Sequence, residues 1–178
     1  RDEQGVGQKV ELNLLSSTLS ALVNQASAYI SGGVIPKALG NVHPSIAPYQ
    51  VYDASDKKFI VAVGNDAQFI KFAGIVSPDL LGDKRFATNQ LRVENITALN
   101  ERLSSVFSTK SAEYWVDKLQ HIHIPTGVIN NVKEAFDLAT SLGLSPVVEI
   151  EGVKSVANPI KFSKTPVQYK SAPPKLAD

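Results

Sequence analysis

The stretch that decides the fold is GNVHPSIAPYQVYDASDKKFIVAVGNDAQF, residues 40–69. Within it, residues 49–52 and 59–63 are rich in β-branched and aromatic side chains, and the DASDK segment at 53–57 has the composition of a turn. This pattern predicts a β-hairpin, because such residues favour strands whereas Asp and Ser favour turns. Asn65 then predicts the start of a helix, since its side chain can accept hydrogen bonds from otherwise unpaired backbone amides.

The residues that follow the hairpin predict three more helices and a strand. Apolar side chains recur at helical spacing over residues 89–107, which predicts one long amphipathic helix, and Ser111 precedes a further helical pattern. A short strand is predicted at 128–130, leading into a helix at 132–139. Together these elements predict an α+β unit over residues 48–145.

The flanking regions have weaker patterns. Alternation over residues 10–14 predicts a short strand, and apolar residues then recur at helical spacing through Ile30 until the Gly-Gly pair at 32–33 ends the helix. Residues 34–47 carry prolines and little periodicity, which predicts a linker. Residues 146–178 alternate briefly and then become proline-containing, which predicts strand pieces and a second linker.

The composition excludes several kinds of function. The 178 residues carry 18 basic and 17 acidic side chains that alternate in sign, so neither a nucleic acid nor a membrane surface is predicted as a partner. Cysteine is absent, which excludes a thiol nucleophile and a thiolate metal site. The chain opens on Arg1 and contains no methionine, so we expect it to be a piece of a longer protein.

The histidines and serines do not form a recognisable catalytic or metal motif. His121 and His123 are separated by one residue, but no third ligand stands nearby at a known spacing, and no metal site is predicted. No GxSxG string marks a serine nucleophile.

The loop at 40–50 is the better candidate for ligand contact. It concentrates polar side chains between rigid elements, as ligand-contacting loops often do. These side chains belong to Asn41, His43, Ser45, Tyr49 and Gln50. The residues alone leave two interpretations equally open: a substrate loop, or a linker that its prolines stiffen.

Five motifs, taken together, resemble one family. They are GQKVELNLLSS (7–17), the opening stretch (40–69), RFATNQLRVENI (85–96), IPTGVINNVKEAF (124–136) and APPKL (172–176). In this order and spacing the chain resembles the C-terminal half of the family III CoA-transferases, which include the formyl-CoA and carnitine CoA-transferases. The similarity is closest to the branch acting on dicarboxylates, such as the succinate:hydroxymethylglutarate CoA-transferases.

The resemblance implies an α/β protein with a large nucleotide-fold domain, a small α+β domain and two long linkers. Two such chains are expected to interlock as a homodimer. On this template residues 1–33 form a strand–helix remnant at the end of a large-domain segment. Residues 34–47 form the outgoing linker, 48–145 the small α+β domain, and 146–178 the returning linker.

The resemblance also implies an activity. Family members move CoA between carboxylic acids through an aspartate that attacks the acyl-CoA thioester. That aspartate precedes the segment matching 7–17, so the resemblance assigns no catalytic residue to this chain and implies that the chain alone is inactive. It places Leu14 against CoA, with a core leucine as the alternative. No metal or cofactor is implied, because the CoA thioester is a substrate.

The substrate loop of the resemblance corresponds to residues 41–48. The formyl-CoA branch has a glycine-rich loop there, whereas this chain has NVHPSIAP, which predicts a stiffer loop. Its candidate acid-contacting residues are Asn41, His43 and Ser45, together with Gln50 just beyond. The motif at 85–96 contributes Arg85, Asn89 and Arg92, for which a structural role is favoured on the edges of an amphipathic helix.

Partners and compartment follow from the same resemblance. An acyl-CoA and a carboxylic acid are the expected substrates, and the expected location is intracellular, in the cytoplasm or the mitochondrial matrix. Two alternatives stay open: a fragment of a 2-methylacyl-CoA racemase of the same superfamily, and a non-catalytic dimerisation or interaction domain.

Overall fold

The computed structural model describes residue 5 and residues 7–174. Outside the described part lie residues 1–4, residue 6 and residues 175–178. They belong to the first and the last of the predicted segments. The chain divides into two compact units, one ending at Pro44 and the other beginning at Ser45. This division falls inside the predicted linker at 34–47, whereas the domain assignments themselves stay a prediction.

The second unit contains most of the regular structure. The helices of the chain are α1 (Leu14–Ala21), α2 (Asn24–Gly32), α3 (Asp66–Val76), α4 (Asn89–Glu94), α5 (Ile96–Phe107), α6 (Ala112–His121) and α7 (Val132–Ser141). Short 3₁₀ helices span Pro78–Gly82 and Lys84–Phe86. The strands are β1 (Tyr49–Asp53), β2 (Lys58–Ala62), β3 (Thr126–Val128), β4 (Val147–Ile150) and β5 (Val153–Val156).

The first unit consists of α1, α2 and the extended residues 33–44. Asn13 begins α1, because its side chain accepts a hydrogen bond from the Ser16 amide at 2.8 Å. Gly33 ends α2 in the left-handed conformation, with φ of 65°, which glycine adopts without steric cost. No described residue of this unit is buried.

The predicted hairpin forms two of the three strands of an antiparallel sheet in the second unit, with β2 in the centre. β1 pairs with β2 so that Tyr49 lies opposite Ala62 and Tyr52 opposite Phe59, and β3 pairs with the other edge of β2. Alternate residues point into the core, as a strand requires. Gln50 and Tyr52 are the buried residues of β1, and Phe59 and Val61 those of β2.

Helices α3, α5 and α6 supply the other side of this core. Phe107 at the end of α5 lies at its centre, with ring centroids 4.9 Å from Phe59, 5.0 Å from Tyr52 and 5.3 Å from Trp115. These are edge-to-face contacts, the favoured geometry for aromatic pairs. The spacing of Leu99, Leu103 and Phe107 was the sequence signal for this buried face, and all three are fully buried.

The helix starts that the sequence predicts at Asn65 and Ser111 are confirmed. Each side chain accepts a hydrogen bond from the amide three residues on, at Gln68 and Tyr114. The helix predicted at 132–139 is also confirmed and extends to Ser141.

Four predicted elements differ in the structure. The strand predicted at 10–14 is absent from these described residues: Asn13 instead caps a helix that begins at Leu14. The helix predicted to run on through Ile30 is broken at Val23, whose φ of 44° lies outside the right-handed helical region.

The long helix predicted at 89–107 is two helices. Asn95 separates α4 from α5, and its side-chain amide donates to the Leu91 carbonyl at 2.8 Å, competing with the helical hydrogen-bond pattern. The strand predicted at 128–130 lies at 126–128 instead, because Asn131 already caps α7 with a full capping box.

The tail forms a second, two-stranded sheet from β4 and β5, so the predicted strand pieces pair with each other. Glu151 and Gly152 both have positive φ, 51° and 79°, as the tight hairpin turn between these strands demands. Within residue 5 and residues 7–174, no helix is long and apolar enough to cross a membrane.

Candidate functional site

Leu14, the predicted CoA contact, is the first residue of α1. Its side chain is 87% exposed, so it joins no core within the described residues, and the alternative of a core leucine in the longer protein stays a prediction as well. An exposed leucine at a helix start is available to a ligand or to another part of the protein, and its contact with CoA stays a prediction.

The four predicted substrate-loop residues are divided between the units. Asn41 is exposed and His43 half-buried in the first unit. Ser45 is exposed at the start of the second unit, and Gln50 is buried in β1. Their contact with a substrate also stays a prediction, whereas their surroundings in the second unit are well defined.

Gln50 belongs to a small buried hydrogen-bond network. Its side-chain oxygen accepts from Asn100 Nδ2 at 3.3 Å, and Asn100 Oδ1 accepts from the Tyr52 hydroxyl at 2.8 Å. Burial raises the pKa of the Tyr52 phenol above its ordinary value, so this hydroxyl stays a donor. The network fixes the Gln50 side chain against α5.

Asn89, the first residue of α4, binds the backbone just before β1. Its Nδ2 donates to the Ser45 carbonyl at 2.8 Å, while its Oδ1 accepts from the Ala47 amide at 3.1 Å. Thr88 is the N-cap of α4: its hydroxyl accepts a hydrogen bond from the Leu91 amide, so that the helix begins at Asn89. The Asn89 side chain therefore binds a backbone carbonyl and a backbone amide of the segment at 45–47.

Arg92 lies three residues further along α4 and is completely buried, with 0% exposure. Its Nε donates to the Ala47 carbonyl at 2.7 Å, Nη1 to the Phe86 carbonyl at 3.1 Å and Nη2 to Asp66 Oδ1 at 2.7 Å. The guanidinium also lies 4.1 Å from the centre of the Phe69 ring. A buried charge is tolerable only when it is paired and hydrogen-bonded, and this one satisfies both conditions.

The structural role favoured for Asn89 and Arg92 agrees with these contacts. The sequence placed Arg92 at the edge of an amphipathic helix, whereas the structure buries it fully. Residues three apart share a helix face, so the sequence spacing of Asn89 and Arg92 already indicated that both lie on the same face of the helix. The contributions of Asp66 and Asn100 carried no sequence signal and were missed.

Arg85, from the same motif, lies in a different environment. It pairs on the surface with Asp83, Nη2 to Oδ2 at 2.7 Å, and Arg102 approaches the same carboxylate. The hydrogen bond from the Arg85 side chain is the main cause that lowers the pKa of Asp83 to about 2. Arg85 therefore does not contribute to holding residues 45–47.

An apolar cavity of about 700 Å³ opens in the first unit. Its lining residues come from α1, α2 and the extended segment that follows, and include Leu19, Leu22, Tyr29, Ile30, Ile35 and Leu39. Its sides are exposed apolar surface of the kind that usually contacts other protein or a ligand. The part of the chain that the structure describes holds no cluster of three or more His, Asp or Glu side chains.

Sequence comparison identifies the class of protein. The sequence model of CoA-transferase family III matches residues 1–178, and the chain belongs to this family. The resemblance inferred from the five motifs is therefore confirmed.

The relatives that the chain resembles are themselves named as CoA-transferases. The chain is 32% identical over 180 residues to a succinate–glutarate CoA-transferase of Agrobacterium fabrum, covering 98% of this chain and 45% of the relative. It is 33% identical to the mouse succinyl-CoA:glutarate CoA-transferase, covering 99% and 42%. It is 30% identical to an acetyl-CoA:oxalate CoA-transferase of Acetobacter aceti, covering 92% and 42%. The chain thus spans less than half the length of these relatives.

A solved structure gives the same result for the fold. A CaiB/BaiF family protein from Brucella suis superposes with a TM-score of 0.83 and 36% identity, covering 99% of this chain and 47% of that one. The predicted class, an α/β family with an α+β unit of helices and small antiparallel sheets, is confirmed.

Proposed function

We propose that the longer protein to which these residues belong moves CoA between a dicarboxylic acyl-CoA and a free carboxylic acid. The observation that carries the proposal is the match of the whole chain to CoA-transferase family III, together with 30–33% identity to relatives named as CoA-transferases of succinate, glutarate and oxalate. The CoA thioester is itself a substrate, so the proposal requires no further cofactor.

The proposed chemistry follows the family resemblance and uses an aspartate outside this chain. Its carboxylate attacks the acyl-CoA carbonyl and expels the CoA thiolate, which leaves a mixed anhydride. The thiolate then attacks the aspartyl carbonyl and releases the first acid, which leaves an aspartyl-CoA thioester. The acceptor carboxylate repeats these two steps in reverse order and departs as the new acyl-CoA.

This chain then supplies binding surface. In the proposal, Leu14 lies against CoA, while Asn41, His43, Ser45 and Gln50 contact the acyl or acceptor carboxylate. Ser45 is supported best, because it is exposed and α4 holds its backbone at a defined position, whereas Gln50 is buried and its side chain accepts a hydrogen bond from Asn100. A homodimer is part of the same proposal.

The exposed apolar surface of the first unit supports action within a larger body. Leu14, Leu15 and Ile30 are each more than two-thirds exposed. A stable protein rarely leaves so many large apolar side chains in water next to one another. We therefore propose that protein outside the described residues covers this surface.

The decisive experiment uses the full-length protein with succinyl-CoA and isotopically labelled glutarate or oxalate. Labelled acyl-CoA formed without free CoA accumulating is the expected result, detected by liquid chromatography with mass spectrometry. A matched incubation with a chiral 2-methylacyl-CoA should show no epimerisation. Absence of labelled product with every dicarboxylate tried would remove the proposal, and epimerisation would replace it with racemase activity.

The 178-residue chain gives a second test. Because the nucleophile lies elsewhere in the proposal, the chain alone should form no labelled acyl-CoA above background. Turnover by this chain would show that the catalytic residue had been assigned to the wrong part of the protein.

A further inference from the structure

Asn89 and Arg92 converge on one short stretch of backbone. Asn89 donates to the Ser45 carbonyl and accepts from the Ala47 amide, at 2.8 and 3.1 Å, while Arg92 Nε donates to the Ala47 carbonyl at 2.7 Å. Three hydrogen bonds from one helix therefore hold both ends of the three-residue segment 45–47. This is a dense set of contacts for a segment that belongs to no helix or strand.

The segment also contributes to the buried core through Ala47, which is 1% exposed. It lies between Pro44 and Pro48, neither of which has a backbone N–H to donate. Regular sheet pairing begins only after it, where Tyr49 lies opposite Ala62. The hydrogen bonds from α4 therefore restrain residues 45–47 in addition to the packing of Ala47.

The chemistry of Arg92 favours precise positioning over general stability. A fully buried guanidinium is costly to desolvate, and apolar residues of similar volume often stabilise a core at least as well. A guanidinium does offer a planar set of donors in fixed directions. Here those donors tie Ala47 to Phe86 and to Asp66, which belong to two other parts of the unit.

We propose that Asn89 and Arg92 are positioning residues that hold residues 45–48 in the geometry that binds the acceptor acid. They act through Ser45 and through the entry of the chain into β1, and they touch no substrate themselves. The inference rests on the proposed function, because the acid-binding role of Ser45 and Gln50 belongs to that proposal.

The test compares three variants of the full-length protein. Asn89→Ala removes both hydrogen bonds to the segment. Arg92→Lys keeps the charge but cannot reach its three acceptors at once. Gln90→Ala is the matched control, because Gln90 is exposed on the same helix and its side chain donates only within the helix, to Glu94.

Two readouts separate positioning from mere stability. In ping-pong transfer the kcat/KM values for the acyl-CoA and for the acceptor acid are measured independently. Asn89→Ala should lower kcat/KM for the acid by about tenfold and change that for the acyl-CoA by less than about twofold. Arg92→Lys should act in the same direction, and Gln90→Ala should match the wild type. Hydrogen exchange of the peptide containing residues 45–47 should be faster than in the wild type for Asn89→Ala. For Gln90→Ala it should be unchanged.

An equal fall in both kcat/KM values would overturn the inference, since a general loss of folded enzyme affects both substrates alike. Unchanged exchange of residues 45–47 in Asn89→Ala would overturn it as well, whatever the kinetics. If the wild-type protein transfers no CoA, the proposed function fails first, and that result is distinguishable because the exchange experiment requires no turnover.

Discussion

The two units of the chain treat their apolar side chains in opposite ways. In the first, the helices α1 and α2 present leucines and isoleucines to the outside, and none of its described residues is buried. In the second, Phe59, Leu99 and Phe107 are fully enclosed by the sheet and helices. Helical apolar spacing is present in both, so the spacing alone does not decide whether a helix finds its core within the same unit.

This difference indicates which part of the chain is stabilised by a hydrophobic core of its own. Among its described residues, the second unit buries a connected aromatic core and satisfies the one buried charge, that of Arg92. The first unit lines an apolar cavity but buries none of its described residues. We therefore expect substitutions of equal size to have very unequal effects in the two units.

The largest expected effect is that of Phe107→Ala in the 178-residue chain. Phe107 is fully buried and contacts four aromatic rings, so its truncation should lower the free energy of unfolding by about 4 kcal/mol. Urea denaturation followed by tryptophan fluorescence would measure it, because Trp115 is one of the four. Leu14→Ala is the control, and a loss there as large as in Phe107→Ala would abolish the contrast between the units.

A smaller effect should depend on the length of the protein studied. Ile30 is 79% exposed, so Ile30→Ala should change the unfolding free energy of the 178-residue chain by less than about 0.5 kcal/mol. In the full-length protein the same change should cost about 2 kcal/mol, because other protein is proposed to cover this face. Exposed Lys71→Ala serves as the control. If Ile30→Ala lowered the unfolding free energy equally in the 178-residue chain and in the full-length protein, Ile30 would be solvent-exposed in both.

The smallest effect concerns the pH dependence of the second unit. The pKa of Asp83 is lowered from its ordinary 3.8 to about 2, chiefly by the hydrogen bond from Arg85. A lowered carboxyl pKa stabilises the folded state above the unfolded pKa, and this stabilisation disappears as the pH falls from about 4 to about 2. Asp83→Asn should therefore show a shallower loss of stability over that range in acid titration of the denaturation midpoint. Arg85→Gln should resemble it, and an unchanged slope in both would refute the assignment.

Much of the second unit could be predicted from sequence, because its signals are local. The hairpin follows from alternating β-formers around a turn, and the helices at Asn65 and Ser111 follow from their capping side chains. The break at Asn95 escaped prediction, since whether an asparagine caps, bends or continues a helix depends on where its amide finds an acceptor.

The candidate site was predictable only in part, for a related reason. Spacing identifies Asn89 and Arg92 as neighbours on one face of α4, but their acceptors lie more than 40 residues earlier in the chain, at Ser45 and Ala47. Such pairings depend on tertiary packing and leave no periodic trace. The misreading of Leu14 as part of a strand has a local cause instead, because the Asn13 side chain caps the helix that begins at Leu14.

The hydrogen bonds of Arg92 also have a consequence for how the second unit comes together and opens. They join residues separated by 45, 26 and 6 positions along the chain, so one side chain closes three loops of very different length. Each closure costs chain entropy before any of the three contacts is gained. The set should therefore form late in folding, and once formed it should make the segments around α4 exchange their amides together, as a single cooperative block.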